Sequence, residues 1–508
     1  MERSPPEIVL LIVEAGDFGV DEGLAIRATC RKLLSIASER YFWLAIASKT
    51  SFLPLPSLHS LAMMSAAEIM KLCIHYKHTR DNMHSKQPEI LKQRVLNMPD
   101  DGGNVCGWNF LPGGCYITTY HENGFTNLWD TGYREAKQGE PPWQEMKGKA
   151  IQVGRRLASY EIGFAINQTQ TYKTCGDNDR EVRCVATSDE GGASTDICIF
   201  RFIFRNPNHV EVEDLLRSTL HVLYPTVASS RDLSVFCGEW QGQLRIAVVD
   251  WKRNQRRIID TGFEYVFGAF DPHLTDGSDL LLTSQGGTQL TIHVYFDISA
   301  HLSDHHPSLG SNGCGRFLAP NATRHISYEG SSRTTPLSEF ITFTAFNTPN
   351  SRTTSDLVVI GLGRDGPDAG DRTFGVQTLD PTKIIQQLKT DSHGNLQTSP
   401  RALHHCSRPV VLVDGTELLV IGTCGRHLMW VTTSDPQRFN EAELVVEVVT
   451  LLKSRDATTA TSISASLRRL DIPLDLKTIE QMDICDEMGV FGFATKVNDT
   501  WSIHLFDY

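Results

Sequence analysis

The sequence lacks the features that mark several common classes of protein. It has no run of about 18 apolar residues that would span a bilayer. Its longest early apolar run, Ile8 to Val13, is followed by acidic residues rather than by the small residues of a cleavage site. We therefore expect neither a signal peptide nor a membrane segment. The 12 cysteines are scattered, without the Cys-x-x-Cys pairs of zinc sites, so we expect reduced thiols and a cytoplasmic or nuclear setting.

The sequence also lacks an excess of basic residues. Its net charge is -12, whereas nucleic-acid binding relies on clustered lysine and arginine. The one compact basic stretch, Lys252 to Arg257, is typical of a solvated hairpin turn. We expect no nucleic-acid partner.

No pattern in the chain has the spacing and scaffold of a catalytic or metal site. One polar loop holds His301, Asp304, His305 and His306, but nothing there would fix the geometry of a metal ion. His404, His405 and Cys406, with Cys424 nearby, suggest a nucleophile, yet adjacent strand residues point to opposite faces. The glycine-rich stretch 361–366 opens no helix and reads as a turn. We expect no catalytic residue, no metal and no cofactor.

The sequence does contain two regions of different character. Before residue 99, apolar residues recur at helical spacing, and afterwards β-branched and aromatic runs alternate with Gly, Asn and Asp turns. We predict a multidomain chain with a small all-α module at 1–48, a helical linker or extension at 49–98, and an all-β body at 99–508.

The helical region divides into several pieces. Pro5, Pro6 and Glu7 suit a helix start, and a first helix is expected from Pro6 to Ala15, ended by the stretch 16–19. A second helix carries Leu24, Ile26 and Cys30, a third covers Leu33 to Ala37, and Trp43 closes the unit. The stretch 52–56 reads as an extended connector, and a capping-box pattern at 65–68 predicts a further helix.

The order and spacing of residues in this region resemble the F-box. The matching elements are Pro5-Pro6-Glu7-Ile8, Ile12, the stretch from Leu24 to Leu33 with its Cys30-Arg31 pair, and Phe42-Trp43. The resemblance, closest to F-box proteins of mushroom-forming fungi, implies docking to the small Skp adaptor of an SCF ubiquitin ligase. The implied adaptor-binding residues are Pro5, Pro6, Ile8, Ile12, Leu24, Ile26, Cys30, Leu33 and Trp43. The alternative is an N-terminal cap packed on the sheet domain.

Four segments of the body read as the same hairpin. Their second strands end at Trp129-Asp130, Asp250-Trp251, Phe296-Asp297 and Phe506-Asp507, after turns at 123–124, 242, 286–287 and 498–499. The Asn123-Gly124 pair predicts a type I′ turn. Less regular hairpins are expected around 199–204, 340–346, 357–362 and 418–430.

These hairpins resemble blades of the WD-repeat propeller, in which a Trp-Asp pair ends the third strand of each four-stranded sheet. At about 40 to 45 residues per blade, the body would hold seven or eight blades. Polar insertions are expected at 131–149, 176–195, 301–315, 364–372 and 389–400. Two stacked β-sandwich domains are the alternative fold.

Together the two resemblances imply the substrate-recognition subunit of an SCF-type E3 ubiquitin ligase. The chain would bind a Skp-type adaptor and through it a cullin, and the propeller would hold an unknown target protein without catalysing a reaction. A non-ligase scaffold and a propeller hydrolase are the alternative functions. The identity of the target is not encoded in any motif.

Overall fold

The computed structural model describes a large part of the chain, in segments. These are residues 5–16, 18–49, 61, 64–85, 87–98, 104–111, 114–132, 150–152, 154–162, 168–173, 181–188, 194–206, 209–229, 233–266, 270–275, 278–286, 289–302, 316–327, 337–345, 356–364, 371–379, 385, 401–407, 419–422, 427–433, 444–453, 463–486, 488–497 and 500–508. The predicted connector at 52–56 and the loop residues Asp304, His305 and His306 lie outside them.

Five α-helices open the chain: α1 (Pro6–Ala15), α2 (Val20–Thr29), α3 (Arg31–Ile36), α4 (Arg40–Lys49) and α5 (Ala66–His84). The first helix has the predicted bounds. Trp43 does not close the unit as predicted but lies inside α4, because Phe42, Trp43, Ile46 and Ala47 form one buried helical face. The capping box before α5 is confirmed, since the backbone N–H of Ser65 donates to Glu68 Oε2 at 2.7 Å and the Glu68 N–H donates to Ser65 Oγ at 3.3 Å.

Strands make up almost all of the remaining described structure. They are β1 (Lys92–Asn97), β2 (Val105–Phe110), β3 (Tyr116–His121), β4 (Phe125–Asp130), β5 (Ala150–Gln152), β6 (Arg155–Glu161), β7 (Gln168–Lys173), β8 (Glu181–Ser188), β9 (Thr195–Asn206), β10 (His209–Leu220), β11 (Leu223–Ser229), β12 (Leu233–Trp240), β13 (Gln243–Asp250), β14 (Gln255–Glu264), β15 (Phe270–Leu274), β16 (Leu280–Gly286), β17 (Gln289–Tyr295), β18 (Arg316–Phe317), β19 (Ala322–Ser327), β20 (Leu337–Ala345), β21 (Asp356–Arg364), β22 (Asp371–Leu379), β23 (Arg401–Ser407), β24 (Leu419–Ile421), β25 (His427–Thr433), β26 (Leu444–Lys453), β27 (Ile463–Leu470), β28 (Ile479–Cys485), β29 (Val490–Val497) and β30 (Thr500–Asp507). Two short 3₁₀ turns lie at Ile298–Leu302 and Leu476–Thr478.

In the described segments these strands form seven sheets, each with four antiparallel strands at its centre. In chain order the sheets are β2-β3-β4-β6, β7-β8-β9-β10, β11-β12-β13-β14, β15-β16-β17-β19, β20-β21-β22-β23, β24-β25-β26-β27 and β28-β29-β30-β1. We number them sheets 1 to 7. In sheet 7 the outer strand β1 comes from the start of the body and pairs antiparallel with β30 over 92–97 and 502–507.

The seven sheets follow one another around a closed ring. Contacts join β2 to β7, β9 to β11, β11 to β15, β15 to β20, β22 to β27, β24 to β28, and finally β28 back to β2. Each sheet therefore has one neighbour on either side, which is the arrangement of a β-propeller and not that of two stacked sandwiches.

The hydrophobic core lies between neighbouring sheets. Tyr116, Tyr120 and Leu128 of sheet 1 pack against Phe200 and Phe202 of sheet 2, all nearly or fully buried. Similar clusters join sheets 2 and 3, 3 and 4, 6 and 7, and 7 and 1. Because burying one large apolar side chain contributes roughly 1.5–3 kcal/mol, these interfaces hold the ring together.

The predicted recurrence of aspartate has a structural cause. Asp130, Asp250 and Asp507 end the third strands of sheets 1, 3 and 7, and all three are buried. The Gly132 N–H donates to Asp130 Oδ1 at 2.9 Å, and the Arg253 N–H donates to Asp250 Oδ1 at 2.8 Å. In these two sheets the carboxylate thus forms the turn that leads out of the strand, whereas Asp507 pairs with Arg94.

The four main hairpins are confirmed in position, but one turn type differs. The hairpins predicted around 199–204 and 357–362 are instead stretches of single strands, β9 and β21, and the described part of 340–346 belongs to β20. At Asn123-Gly124 only the glycine has a positive φ, of 79°, and the Gly124 N–H donates to the His121 carbonyl at 2.9 Å. This is a type I turn followed by a left-handed glycine, not the predicted type I′ turn. Gln241 and Gly242, with φ of 53° and 79°, do form a turn with two positive φ angles. Residue 287 of the predicted turn at 286–287 and the whole of the turn at 498–499 lie outside the described residues.

Several smaller predictions can be compared with these strands. The basic stretch 252–257 lies at the β13–β14 turn, as predicted. The segment 176–195 is not simply an insertion, because β8 runs through it with Val182, Cys184 and Ala186 buried against sheet 1. The glycine-rich stretch begins in β21 rather than in a turn, since residues 356–364 pair with β22. No helix in the described segments is long and apolar enough to cross a membrane.

Candidate functional site

Helices α1 to α4 form a compact module with a core of its own. Val9 and Val13 of α1, Leu33 of α3 and Phe42 and Trp43 of α4 are all nearly or fully buried in one cluster. The Trp43 indole N–H donates to the carbonyl of Ala37 at 2.7 Å. This bond satisfies the polar atom of a side chain that is only 1% exposed.

The opposite face of α1 is apolar and exposed. Ile8 is 44% exposed, Leu11 57% and Ile12 37%. The spacing of three and four residues places these side chains side by side on one stripe of the helix. Together they form what we call the α1 stripe, and the core of the module is complete without it.

The structure separates the predicted adaptor-binding residues into three groups. Pro5, Pro6, Ile8 and Ile12 are exposed, Leu24 and Cys30 are half-buried, and Ile26, Leu33 and Trp43 are buried in the module core. Buried side chains shape the module rather than its surface. The described surface therefore offers the α1 residues of the predicted set most directly.

Three exposed apolar residues of the module were absent from the predicted set. They are Leu11 on α1, Leu34 on α3 at 40% exposure and Tyr41 on α4 at 72%. Leu11 could have been found, because it lies at helical spacing from Ile8. Tyr41 carries no such signal, since its exposure depends on how α4 packs.

Helix α5 connects the module to the ring. Its N-terminal half contacts the module: Ile69 and Cys73 are buried in the module core, and Lys77 Nζ lies 3.3 Å from Asp21 Oδ1 of α2. Burial raises the pKa of the Cys73 thiol to about 12, so this cysteine stays protonated.

The C-terminal half of α5 contacts sheets 6 and 7. Met83 is buried in the cluster between these sheets, and Thr79 lies against Gly489 so closely that a Cβ there would be 2.1 Å from Thr79 Cγ2. Arg468 Nε donates to the Ser85 carbonyl at 3.1 Å. The single helix therefore fixes the module on one side of the ring.

The buried charged pairs of the ring join strands and sheets. Arg94 of β1 is fully buried and forms an ion pair with Asp507 of β30, and its Nη1 donates to the Thr131 carbonyl of sheet 1 at 2.8 Å. His427 Nδ1 lies 2.7 Å from Asp486 Oδ1 and links sheets 6 and 7. Both pairs are closed from solvent, which fits a structural role.

The described segments contain no group of three or more residues able to hold a metal ion. The free cysteines of the described segments are Cys30, Cys73, Cys106, Cys115, Cys184, Cys198, Cys237 and Cys485. Burial raises the pKa of the Cys106 thiol to about 11, which disfavours the nucleophilic thiolate. His404 and His405 are consecutive on β23, and Cys424 lies outside the described residues.

The comparisons with known proteins found distant likenesses. No family model matches the chain, and no curated protein matches it. The chain is similar to the β-propeller domain of Cps50 (Swd1) from Myceliophteria thermophila, at 9% identity over 82% of this chain and 99% of that chain, with a TM-score of 0.36. It is also similar to Raptor from Chaetomium thermophilum, at 10% identity over 96% of this chain and 38% of that chain, with a TM-score of 0.40. Neither likeness is strong enough to carry a functional argument.

Proposed function

We propose that this chain is the substrate-recognition subunit of an SCF-type ubiquitin ligase. The helical module docks to a Skp-type adaptor and through it to a cullin. The ring, with its seven sheets as seven blades, binds a target protein. The observation that carries this proposal is the α1 stripe, an exposed apolar surface on a module with the residue order of the F-box.

The energetics of the module support docking through this surface. Exposed large apolar side chains that adjoin one another on a helix are a common feature of helix-mediated interfaces. Covering the stripe would remove Ile8, Leu11 and Ile12 from water without disturbing the buried core on the other side of α1. Binding through the stripe therefore needs no opening of the module.

The chain supplies position rather than chemistry in this proposal. A receptor that holds its target beside a loaded conjugating enzyme raises the effective concentration of the target lysine. The attachment of α5 to both the module and sheet 7 suits this role, since a fixed module gives a bound target a fixed distance from the adaptor.

The test is binding of the full chain to a purified recombinant Skp adaptor. We expect micromolar or tighter binding by calorimetry, and a weakening of roughly 30- to 100-fold in the double variant Ile8→Asp/Ile12→Asp, equivalent to about 2–3 kcal/mol of lost apolar burial. Both residues are exposed. An acidic residue is favourable at Ile8, in the first turn of α1, and unfavourable at Ile12, in its last turn, each by about 0.3–1 kcal/mol, so the two effects offset and the variant should fold normally.

The control is Val497→Asp, which adds one acidic side chain, against two in the double variant, at a ring residue that is 52% exposed. It should bind the adaptor as the wild type does. Absence of wild-type binding at micromolar concentration would refute the ligase function and leave the scaffold function in its place. Equal weakening by both variants would show that the α1 stripe is not the docking surface.

A further inference from the structure

One end of sheet 3 carries an exposed aromatic residue in an unusual backbone conformation. Tyr224, at the start of β11, is 53% exposed and has a φ of 49°. Bulky residues rarely adopt positive φ, because the Cβ then crowds the backbone. Such conformations persist where the surrounding structure enforces them, and they often occur at functional sites.

A glycine on the neighbouring strand permits this conformation. The pairing of β11 with β12 shifts register between Leu223 and Thr226, so the chain bulges at Tyr224. Gly238 lies opposite the bulge, and a Cβ there would be only 2.4 Å from the Leu223 carbonyl oxygen. The missing side chain lets the two backbones approach, and the bulge directs Tyr224 outward.

A second aromatic residue is held rigidly at the same end of the sheet. Trp240 ends β12 and is half-buried, with the His221 ring edge-on at a centroid distance of 5.2 Å. The Arg245 guanidinium lies 4.7 Å from the centre of the indole, and Arg245 Nε donates to Asp260 Oδ1 at 2.7 Å. The indole is therefore fixed before any partner binds, which lowers the entropy lost on binding.

An exposed aliphatic residue lies at the same end of sheet 3, next to the outer strand β14. Val266, just beyond β14, is 57% exposed, and the neighbouring Tyr265 N–H donates to the Gly242 carbonyl of the β12–β13 turn at 2.9 Å. Strands β11 to β14 lie side by side, so Tyr224 and Val266 are separated by roughly three strand spacings, about 14 Å. We call Tyr224, Trp240 and Val266 the sheet 3 patch.

The charges around the sheet 3 patch are acidic. Two glutamates lie close to the β12–β13 turn, because Glu239 pairs with Leu223 and Glu264 pairs with Gln243. Glu264 is exposed. The cation of Arg245 is paired with Asp260. Of the two glutamates, Glu239 lies on the strand next to Tyr224, and its Oε1 accepts from the Gly242 N–H at 2.9 Å, whereas Glu264 lies on β14, near Val266. An exposed tyrosine ring with carboxylates at the same end of the sheet favours a cationic side chain, through its π face and through charge.

We propose that the sheet 3 patch binds an extended protein segment in which an arginine or lysine adjoins an aliphatic residue. The cationic side chain lies over Tyr224 on the side of Glu239, and the aliphatic one packs between Trp240 and Val266. This proposal deepens the proposed function. It rests on that function in one respect, that the bound segment belongs to the target protein.

The test uses the full chain and two labelled model peptides in fluorescence anisotropy, without any adaptor. One peptide alternates arginine and leucine, and the other alternates glutamate and leucine. We expect saturable binding of the arginine peptide only, weakened by salt. Replacing Tyr224 with glycine should weaken binding roughly three- to fivefold, the value of an exposed cation–π contact.

The Tyr224→Gly variant separates binding from folding. Glycine is the residue best suited to a φ of 49°, so this variant should melt at or above the temperature of the wild type while losing affinity. Glu264→Lys should also weaken binding and reduce its salt dependence. The control is Tyr41→Ala, which removes a tyrosine side chain 72% exposed on α4 of the helical module, and should leave binding unchanged.

Three outcomes would overturn the proposal: equal affinity of the wild type and Tyr224→Gly, preference for the glutamate peptide, or a midpoint above about 1 mM for the arginine peptide. None of them bears on the module, because adaptor binding is measured separately with the α1 variants. Loss of adaptor binding with retained peptide binding would refute the ligase function alone.

Discussion

The ion pair between Arg94 and Asp507 should be the most sensitive point in the closure of the ring. It joins β1 to β30 through two residues that are 413 positions apart in the chain. Arg94 also donates to the Thr131 carbonyl of sheet 1. The Arg94 side chain is fully buried and that of Asp507 is 6% exposed. We therefore predict that Asp507→Asn, a change that alters almost no volume, will destabilise the protein strongly.

The expected magnitude follows from the burial of the charge. Removing one partner of a buried pair leaves the other charge without compensation, at a cost of about 3–5 kcal/mol. Replacing both partners by apolar residues removes that charge. The double variant Arg94→Met/Asp507→Leu should therefore recover most of the loss, apart from about 1 kcal/mol for the bond to Thr131.

Urea unfolding followed by tryptophan fluorescence measures these losses. With an m-value of about 3 kcal/mol/M, Asp507→Asn should lower the unfolding midpoint by about 1–1.7 M. The matched control is Arg253→Ala, which removes the partner of Asp250, the aspartate at the equivalent position of sheet 3. Arg253 is 71% exposed and 3.7 Å from that carboxylate, so the loss should be below about 1 kcal/mol. A midpoint for Asp507→Asn equal to that of the control, or a double variant no better than Asp507→Asn, would refute the reasoning.

Two further predictions concern single residues of the body. Gly489→Ala should destabilise the protein by well over 1 kcal/mol and expose α5 to limited proteolysis, because φ is 62° and the added Cβ would lie 2.1 Å from Thr79. The control Gly242→Ala, at φ 79° with no atom within 4 Å of the added Cβ, should cost only about 1 kcal/mol. Equal losses of stability in the two variants would contradict the role of the Thr79 contact. Burial lowers the pKa of His273 to about 4, below its ordinary value of 6.5. Its neutral form therefore stabilises the fold above pH 6.5, and this stability is lost as the pH falls towards 4, at up to about 1.4 kcal/mol per unit. In melts between pH 7 and 4.5, His273→Phe should lose less stability than the wild type, and identical pH profiles would refute this.

The sequence predicts local structure well wherever apolar residues recur with a single period, either that of a helix or that of a strand. The bounds of α1 and the capping box of α5 followed from proline, serine and glutamate positions, and the hairpins followed from alternation and turn residues. These signals are local, because each depends on backbone preferences within a few residues. Helix α4 is not predicted, because the F-box pattern places Trp43 at the end of the motif. Its neighbours Phe42, Ile46 and Ala47 nevertheless have helical spacing.

The features that depend on tertiary structure were not predictable in this way. Nothing in residues 92–97 indicates that they pair with residues 502–507, and the strand lies inside the segment expected to be a helical linker. Aspartate marks the ends of the third strands of sheets 1, 3 and 7 in the sequence, but the three aspartates do not share one kind of partner. Asp130 and Asp250 each accept a hydrogen bond from a turn N–H, and Asp507 pairs with a buried arginine. The unusual φ of Tyr224 leaves no sequence signal except Gly238, which lies on another strand.

Helix α5 explains why an otherwise small helical module can be stable here. A unit of roughly 45 residues buries too little surface to be robust alone. In this chain Ile69 and Cys73 complete its core from outside, and the same helix continues to Met83 in the core between sheets 6 and 7. The module thus draws stability from the ring through one continuous helix, while the α1 stripe remains exposed. An exposed apolar surface is tolerable only if the helix that carries it is held in place by other contacts, and α1 is held by Val9 and Val13.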